Sequence, residues 1–265
     1  MQTEKVVQYI VSWLKDYLET SHQKGFVIGI SGGIDSAVTS TLCAMTGYPL
    51  LNLEMPIHQA ENQADRAKKH IEWLKNNFTS PIDSIEIDLT ATFDTMNAAL
   101  PKTETTDKVN LALANTRARL RMTTLYYFAG LHNYLVAGTG NKVEDFGVGF
   151  YTKYGDGGVD LSPIADLMKS EVYKIAEFLG INTDIQKAKP TDGLFGDDRS
   201  DEDQLGANYD ELEWAMKAKE AGHNADEFSG REKEVFEIFS RLNRINQHKM
   251  IPIPVCDIPE ELMKR

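Results

Sequence analysis

The sequence predicts an α/β protein with a doubly wound, mostly parallel sheet that has helices on both faces. Short apolar runs alternate with helical segments from residue 4 to residue 139, and this alternation is typical of a parallel sheet covered on both sides. The chain has 265 residues, 42% of them hydrophobic, which is enough for a sizeable core. Because the sequence has no internal repeat or low-complexity linker, we expect a single domain over 1–265.

The first half of the chain contains four predicted strands, each preceded by a predicted helix. Apolar residues at helical spacing place the first helix over 4–20. Short apolar runs rich in β-branched or large apolar residues predict the strands. The predicted strands cover 26–30, 49–55, 84–89 and 134–139. The other predicted helices cover 37–45, 60–77, 91–100 and 107–132.

The pattern changes after the fourth strand. Seven of the 19 glycines fall between 138 and 158, which predicts an irregular segment. Gly180 is suited to cap a preceding helix, because glycine adopts the left-handed conformation easily. The acidic, glycine-containing segment 191–206 predicts a mobile loop that orders over a bound nucleotide. The predicted helices of this half cover 166–179, 208–221 and 231–247.

Charge and composition narrow the class of protein. A formal net charge of −12 argues against a nucleic-acid-binding surface. The longest uncharged stretch, 122–141, contains polar residues and glycines, so it predicts a buried helix and a strand and no membrane span. The charged, amphipathic N-terminus does not resemble a signal peptide. Cys43 and Cys256 lack metal-ligand spacing, and Cys43 is expected to be a small buried hydrophobe. We expect a soluble, cytoplasmic protein.

The strongest local motif is a predicted phosphate loop where the first strand meets the second helix. Its residues are Gly29, Ile30, Ser31, Gly32, Gly33, Ile34, Asp35 and Ser36. Backbone N–H groups at a helix start attract phosphate, glycines allow close approach, and the serines add hydroxyl donors. A glycine turn with a helix cap is the structural alternative. The usual P-loop is excluded, since the chain has no Gly-Lys pair.

Asp35 is the unusual member of this loop. A carboxylate would repel phosphate, so its presence indicates a bridging Mg²⁺. The motif resembles the loop of the ATP pyrophosphatase superfamily, which cleaves ATP between the α- and β-phosphates and leaves an adenylate on the substrate. That superfamily includes synthetases of NAD, GMP and asparagine as well as tRNA-thiolating enzymes, and the loop alone does not distinguish them.

A second group of motifs resembles the NAD synthetase family. Segment 138–144 reads GTGNKVE and segment 150–160 reads FYTKYGDGGVD, followed by Ser162-Pro163 and Lys169. Further matches lie at 115–122, 189–191 and 248–249, so the similarity extends from residue 26 to residue 249. The resemblance implies an adenine nucleotide alpha hydrolase-like fold. It also implies amidation of deamido-NAD with ATP and ammonia to give NAD, AMP and pyrophosphate, the last step of NAD biosynthesis.

The resemblance assigns roles residue by residue. Asp35 and Glu144 match metal ligands, and Mg²⁺ is the expected ion. Besides the phosphate loop, the matches to ATP-contacting positions are Thr139, Lys169 and Thr191. The matches to positions that hold deamido-NAD are Arg119, Lys153, Asp160, His248 and Lys249.

Structural alternatives exist for several of these residues. Glu144 could be a solvated loop carboxylate, Lys169 could lie exposed in the first turn of helix 166–179, and Arg119 could belong to a solvated helix face. His248 could be a helix cap. No general base is evident, and adenine contacts near residues 54–60 are not transferred because that segment departs from the family pattern.

The nitrogen donor and the assembly are also expectations. Only one predicted helix precedes the phosphate loop, so we expect no N-terminal glutaminase domain and free ammonia as the donor. The family implies a homodimer, for which helix 107–132 is a candidate interface. The competing classes are a tRNA-thiolating relative, which would want a basic surface, and a non-catalytic nucleotide-binding module, which would lose Asp35 and Glu144.

Overall fold

A computed structural model describes residues 1–58, 61–101, 104–189 and 201–263. The strands are β1 (Gly25–Gly29), β2 (Leu50–Glu54), β3 (Ile82–Glu86) and β4 (Tyr134–Val136). The helices of the first half are α1 (Thr3–Thr20), α2 (Ile34–Met45), α3 (Glu61–Asn77), α4 (Thr90–Ala99) and α5 (Asp107–His132). Those of the second half are α6 (Lys169–Phe178), α7 (Thr183–Gln186), α8 (Asp201–Leu205), α9 (Tyr209–Glu220), α10 (Gly230–Met250) and α11 (Glu260–Met263). A π-helix spans Val143–Val148 and a 3-10 turn spans Ala225–Glu227.

The four strands form one parallel sheet in the order β3-β2-β1-β4. Phe26 of β1 lies opposite Leu50 of β2 and Leu135 of β4. The chain builds outward from β1 to β3 and then returns to add β4 on the other side, so the direction of winding reverses between β1 and β4. Ligands bind at such a reversal, outside the carboxyl ends of the strands.

Both faces of the sheet are covered, which confirms the predicted fold class. Successive side chains of a strand point to opposite faces. Phe26 and Ile28 accordingly pack in one buried cluster with residues of α1, α2 and α6. Val27 packs in a second cluster with residues of β2, α4 and α5.

A third hydrophobic cluster lies in the second half of the chain. It joins α9 and α10 to the π-helix, and its fully or almost fully buried members include Leu212, Val235, Phe239 and Val143. This cluster positions the π-helix, which follows β4 and carries Glu144. We call α9, α10 and the π-helix the C-terminal layer.

Most predicted elements are present with shifted ends. The fourth strand ends at Val136, three residues before its predicted end, and α6 begins at Lys169 where a start at residue 166 was expected. Gly180 follows α6 with a φ of +71°, as its predicted capping role requires. Cys43 is completely buried, as expected, and it and the exposed Cys256 are both free thiols.

The prediction of a loop over 191–206 is wrong for its last part. Residues Asp201–Leu205 form helix α8, and the side chain of Glu202 accepts a hydrogen bond from the backbone N–H of Tyr209 at 3.2 Å. This bond joins α8 to the start of α9. The rest of the predicted loop, up to residue 200, lies outside the described residues.

No helix in the described ranges is long and apolar enough to cross a membrane. The uncharged stretch 122–141 comprises the end of α5, strand β4 and the turn after it, so the predicted helix and strand are present. The expected burial of the helical part is wrong, because Ala129 is its one buried residue and Tyr127 and Leu131 are more than half exposed.

Candidate active site

A cavity of about 260 Å³ opens at the carboxyl end of the sheet. The phosphate loop after β1 lines one wall, and Gly138, Thr139 and Gly140, which follow β4, line another. Glu144 and Lys169 complete this side. The structure therefore brings together the two segments that the sequence placed after the first and fourth strands.

Hydrogen bonds within the phosphate loop hold it in a fixed shape. Gly32 has a φ of +79°, a conformation that favours glycine. The Ser31 hydroxyl accepts a hydrogen bond from the Gly33 N–H at 3.2 Å, and the Ser36 hydroxyl donates to the Gly33 carbonyl at 3.0 Å. Gly33 also precedes the first residue of α2, so the loop leads directly to the N–H groups at the start of that helix.

A buried ion cluster joins the ends of β1 and β4. The Lys169 ammonium lies 2.5 Å from Asp35 Oδ2 and 3.0 Å from Glu144 Oε1. Lys169 is only 3% exposed, which excludes the exposed first-turn alternative. Glu144 lies on the π-helix and contacts the ammonium, so it is not a freely solvated loop carboxylate. One ammonium thus neutralises part of the charge of two carboxylates that face it.

The pKa values of the cluster follow from burial and from these ion pairs. Burial raises the pKa of Asp35 above its ordinary value, against the opposing effect of Lys169. Burial acts in the same direction on Glu144, but Lys169 and the Tyr209 hydroxyl together hold its pKa below the ordinary value. Burial opposes protonation of Lys169, and the two carboxylates nevertheless raise its pKa. The ammonium form is therefore strongly favoured.

Asn141 fixes the spacing of the two carboxylates. Its side-chain amide donates to Asp35 Oδ1 at 3.2 Å, and its amide oxygen accepts from the backbone N–H of Glu144 at 3.1 Å. Asn141 is completely buried. Sequence analysis quoted this residue within a motif but gave it no role.

Tyr209 connects the C-terminal layer to the cluster. Its hydroxyl donates to Glu144 Oε1 at 2.5 Å, and the Lys169 ammonium lies 4.8 Å from the centre of its ring. Tyr209 is the first residue of α9, 65 positions from Glu144 in sequence. Sequence analysis did not identify it.

Asp145 places a further carboxyl group beside the cluster. Burial raises the pKa of its carboxyl group to about 8, and Glu144, Asp156 and Asp35 add to that effect. The carboxyl group lies against Gly140, where any side chain would collide with it. Asp145 and Asp156 both line the cavity.

The residues predicted to hold deamido-NAD lie together in part. Arg119 donates to the Lys153 carbonyl at 3.3 Å, and the Lys153 ammonium donates to the His248 carbonyl at 2.6 Å. The Lys249 ammonium donates to the carbonyls of Gly149 and Tyr151, both at 2.7 Å. These four residues lie where α5, the segment after the π-helix and the end of α10 meet, and His248 takes part through its backbone carbonyl.

Asp160 has a different environment. Its two carboxylate oxygens accept hydrogen bonds from the Tyr126 hydroxyl at 2.9 Å and from the Val136 N–H at 2.8 Å. Neither Asp160 nor the group around Lys153 is among the described residues that line the cavity. Their roles toward a ligand stay predictions, and Thr191 lies outside the described residues.

The fold and the site define a class of α/β protein that has a glycine-containing phosphate loop and a carboxylate pair at the carboxyl end of a parallel sheet. A family model described as NAD synthase matches residues 6–252. The chain therefore belongs to the NAD synthase family, as its motifs indicated.

Individual relatives agree with this family. An NH(3)-dependent NAD(+) synthetase of Mesoplasma florum is 37% identical, over 94% of this chain and 95% of the relative. The solved structure of NMN synthetase from Francisella tularensis is similar with a TM-score of 0.82 and 28% identity, over 98% of this chain and 99% of that one. An NH3-dependent NAD synthetase from Campylobacter jejuni, with a TM-score of 0.77 and 24% identity over 97% of this chain and 100% of that one, supports the fold.

Proposed function

We propose that this protein is a ligase that amidates deamido-NAD with ammonia at the expense of ATP, giving NAD, AMP and pyrophosphate. The family match over 6–252 supports the reaction. The observation that carries it in the structure is the cluster of Asp35, Glu144 and Lys169 beside the phosphate loop. Such a cluster suits a reaction that must bring a triphosphate and a carboxylate together.

The chemistry has two steps. A carboxylate oxygen of deamido-NAD attacks the α-phosphorus of ATP, the bond to the bridging oxygen breaks, and pyrophosphate leaves. Ammonia then attacks the acyl carbon of the adenylate, AMP leaves with the bonding electron pair, and the nitrogen gives up a proton. The contribution of the protein is to position these groups and to stabilise their charge.

The phosphate loop and Lys169 are the groups proposed to hold ATP. N–H groups at the start of α2 offer hydrogen bonds and the positive end of the helix dipole. Thr139 lines the same cavity. Thr191 is proposed from its sequence match alone.

The residues present fit Mg²⁺. Asp35 and Glu144 supply the hard oxygen ligands that this ion prefers, and they already face a common cation, the ammonium of Lys169. Asp35 and Glu144 would hold Mg²⁺, and the ion would neutralise charge on the phosphates.

A second substrate has support in one observation. The solved relative with a TM-score of 0.82 is an NMN synthetase and is 28% identical to this chain. The second candidate reaction is therefore amidation of nicotinic acid mononucleotide, the half of deamido-NAD that carries the reacting carboxylate. Both candidates use the same adenylation chemistry and differ in whether the AMP half of the substrate contributes binding.

Pyrophosphate release tests both candidates. Purified protein is supplied with ATP, Mg²⁺ and ammonium, and with deamido-NAD, nicotinic acid mononucleotide or a GMP synthetase substrate. We expect the highest kcat/KM with deamido-NAD. A higher kcat/KM with the mononucleotide would replace the first candidate by the second. Release with neither pyridine nucleotide would contradict the proposed function.

We also propose that residues 1–265 act as one NAD synthetase domain within a homodimer in the cytoplasm. Leu111, Tyr127 and Leu131 of α5 are more than half exposed, which supports an interface on that helix. The free thiols of Cys43 and Cys256 are consistent with a reducing compartment. Light scattering of the purified protein tests the dimer, and Tyr127→Glu should shift a dimer toward the monomer.

A further inference from the structure

Arg66 is a cationic side chain at the phosphate loop for which sequence analysis predicted no role. It lies on α3, is partly buried, and lines the cavity beside the loop. Its Nε donates to the carbonyl of Gly32 at 3.2 Å. Among the described residues, this carbonyl is its one hydrogen-bond partner, so the two terminal nitrogens of the guanidinium keep donors for a ligand.

The strand order places Arg66 on the side of the loop away from the ion cluster. Helix α3 follows β2, which lies next to β1 on one side, whereas β4 and Glu144 lie on the other. The phosphate loop at the end of β1 is thus flanked by Arg66 on one side and by Asp35, Glu144 and Lys169 on the other.

The cations at this cavity differ in what they already bind. The Lys169 ammonium is shared by two carboxylates. Among the residues whose side chains are described, Arg66 has no acidic partner, and its one hydrogen bond there is to the neutral carbonyl of Gly32. On the β2 side of the loop, the Arg66 guanidinium can therefore pair with the phosphates of a bound triphosphate.

We propose that Arg66 binds the β- and γ-phosphates of ATP and the pyrophosphate that they become. This role rests on the proposed function. A guanidinium binds phosphate oxygens through paired N–H groups. The β- and γ-phosphates carry most of the negative charge of ATP and leave together, whereas the α-phosphate stays with the substrate. A cation fixed to the loop by Gly32 stabilises the charge that builds up on the leaving group.

Nucleotide binding measured by calorimetry in the presence of Mg²⁺ tests this role. ATP, AMP and pyrophosphate are titrated into the wild type, Arg66→Gln and Arg66→Lys. Lys69→Gln is the matched control, since it removes one positive charge from the same helix at a site that is 60% exposed. We expect Arg66→Gln to weaken binding of ATP and pyrophosphate by at least about tenfold and to leave AMP binding within about twofold, because AMP lacks the phosphates that Arg66 contacts.

The Arg66 variants test its role in binding ATP separately from the proposed reaction. Arg66→Lys should recover part of the lost ATP affinity because it keeps the cation. Unchanged ATP binding in Arg66→Gln, an equal loss of ATP and AMP binding, or an Arg66→Lys variant as weak as Arg66→Gln would overturn the role of Arg66. Wild-type protein that bound ATP but released no pyrophosphate with either pyridine nucleotide would contradict the proposed function and leave the binding role of Arg66 standing.

Discussion

Asp35 carries the carboxylate that links the phosphate loop to Lys169. Its substitution by asparagine keeps the shape of the side chain and the first turn of α2 but removes the charge that is proposed to bind Mg²⁺. We expect Asp35→Asn to lower kcat/KM for ATP by about a hundredfold or more, with the circular dichroism spectrum unchanged. Steady-state rates across a Mg²⁺ titration provide the measurement.

Asp166→Asn is the matched control for that experiment. The side chain of Asp166 is 98% exposed and pairs with Lys142 at the surface, so its loss should change activity by less than about twofold. Wild-type activity in Asp35→Asn at every Mg²⁺ concentration would remove Asp35 as a metal ligand.

Tyr209 is predicted to hold Glu144 in place for the metal. Tyr209→Phe removes a hydrogen bond to a charged carboxylate. This loss should lower the free energy of unfolding by about 1–3 kcal/mol. We expect the Mg²⁺ concentration for half-maximal activity to rise severalfold, while the rate at saturating Mg²⁺ stays near that of the wild type. Tyr9→Phe, at a site 74% exposed, is the control.

The Mg²⁺ titration separates positioning from general stability. A purely structural role of Tyr209 would lower the melting temperature without moving the Mg²⁺ midpoint. That result would show that Tyr209 does not position Glu144 for the metal.

Sequence motifs identified the charged members of the site and missed the residues that connect them. Asp35 belongs to a loop whose chemistry can be inferred from its own residues, and Glu144 and Lys169 were assigned through their resemblance to family motifs. Asn141, Tyr209 and Arg66 act through partners 106, 65 and 34 positions away in sequence. Such pairs form only when the strands are ordered and the C-terminal layer has packed, so the sequence pattern does not show which residues will be in contact.

At the scale of elements, the contact between α2 and α3 includes one buried histidine beside its apolar residues. His70 is completely buried, lies 2.9 Å from the Ser40 hydroxyl, and stacks on Trp73 with 5.7 Å between ring centres. Burial lowers the pKa of its imidazole to about 4. The folded protein therefore keeps His70 neutral at a pH where the unfolded chain, with a pKa of about 6.5, takes up a proton.

The sign of the pH dependence follows from this difference. Between pH 6.5 and 4 the unfolded state binds more protons at this position, so the free energy of unfolding falls as the pH is lowered. From pH 7 to pH 5 we expect a loss of about 2 kcal/mol from His70. Urea denaturation at the two pH values measures it. The loss should be smaller by that amount in His70→Gln and unchanged in His132→Gln, whose side chain is exposed. An equal loss in all three proteins would refute the assignment.

The predicted elements were most accurate where apolar periodicity determines them, as in α1, whose buried residues Val7, Ile10, Leu14 and Leu18 recur at helical spacing. They failed where tertiary contacts decide the structure. The glycine-containing segment after β4 was expected to be irregular, yet Val143–Val148 form a π-helix that packs on α9 and α10. π-Helical turns are frequent at functional sites. This one carries both Glu144 and Asp145, and the packing that selects it lies some 70 to 100 residues downstream.

At the scale of the whole molecule, the proposed reaction uses ammonia as its nitrogen donor. Ammonia has the lone pair needed to attack an acyl adenylate, and ammonium does not. We expect purified protein to make NAD from deamido-NAD, ATP, Mg²⁺ and ammonium salts. At subsaturating ammonium the rate should rise from neutral toward alkaline pH as the ammonia fraction grows. Chromatographic measurement of NAD formed checks this.

Glutamine provides the contrasting donor. Neither Cys43, which is buried in the core, nor Cys256, which is exposed, lines the cavity. Glutamine alone should therefore support little synthesis. Equal rates with glutamine and ammonium in a preparation free of other proteins would show that the donor was assigned wrongly, and would leave the adenylation step unaffected.

The ammonium that Lys169 places between Asp35 and Glu144 also bears on how the protein rests between turnovers. A chain that carries its own counter-ion does not depend on a metal to keep two buried carboxylates apart. Dialysis against a chelator should therefore remove activity and leave the protein folded, with only the small fall in melting temperature that loss of the bound ion causes. In a cell short of magnesium, such a protein would stay folded but inactive. Its activity would return with the ion, without new synthesis or refolding.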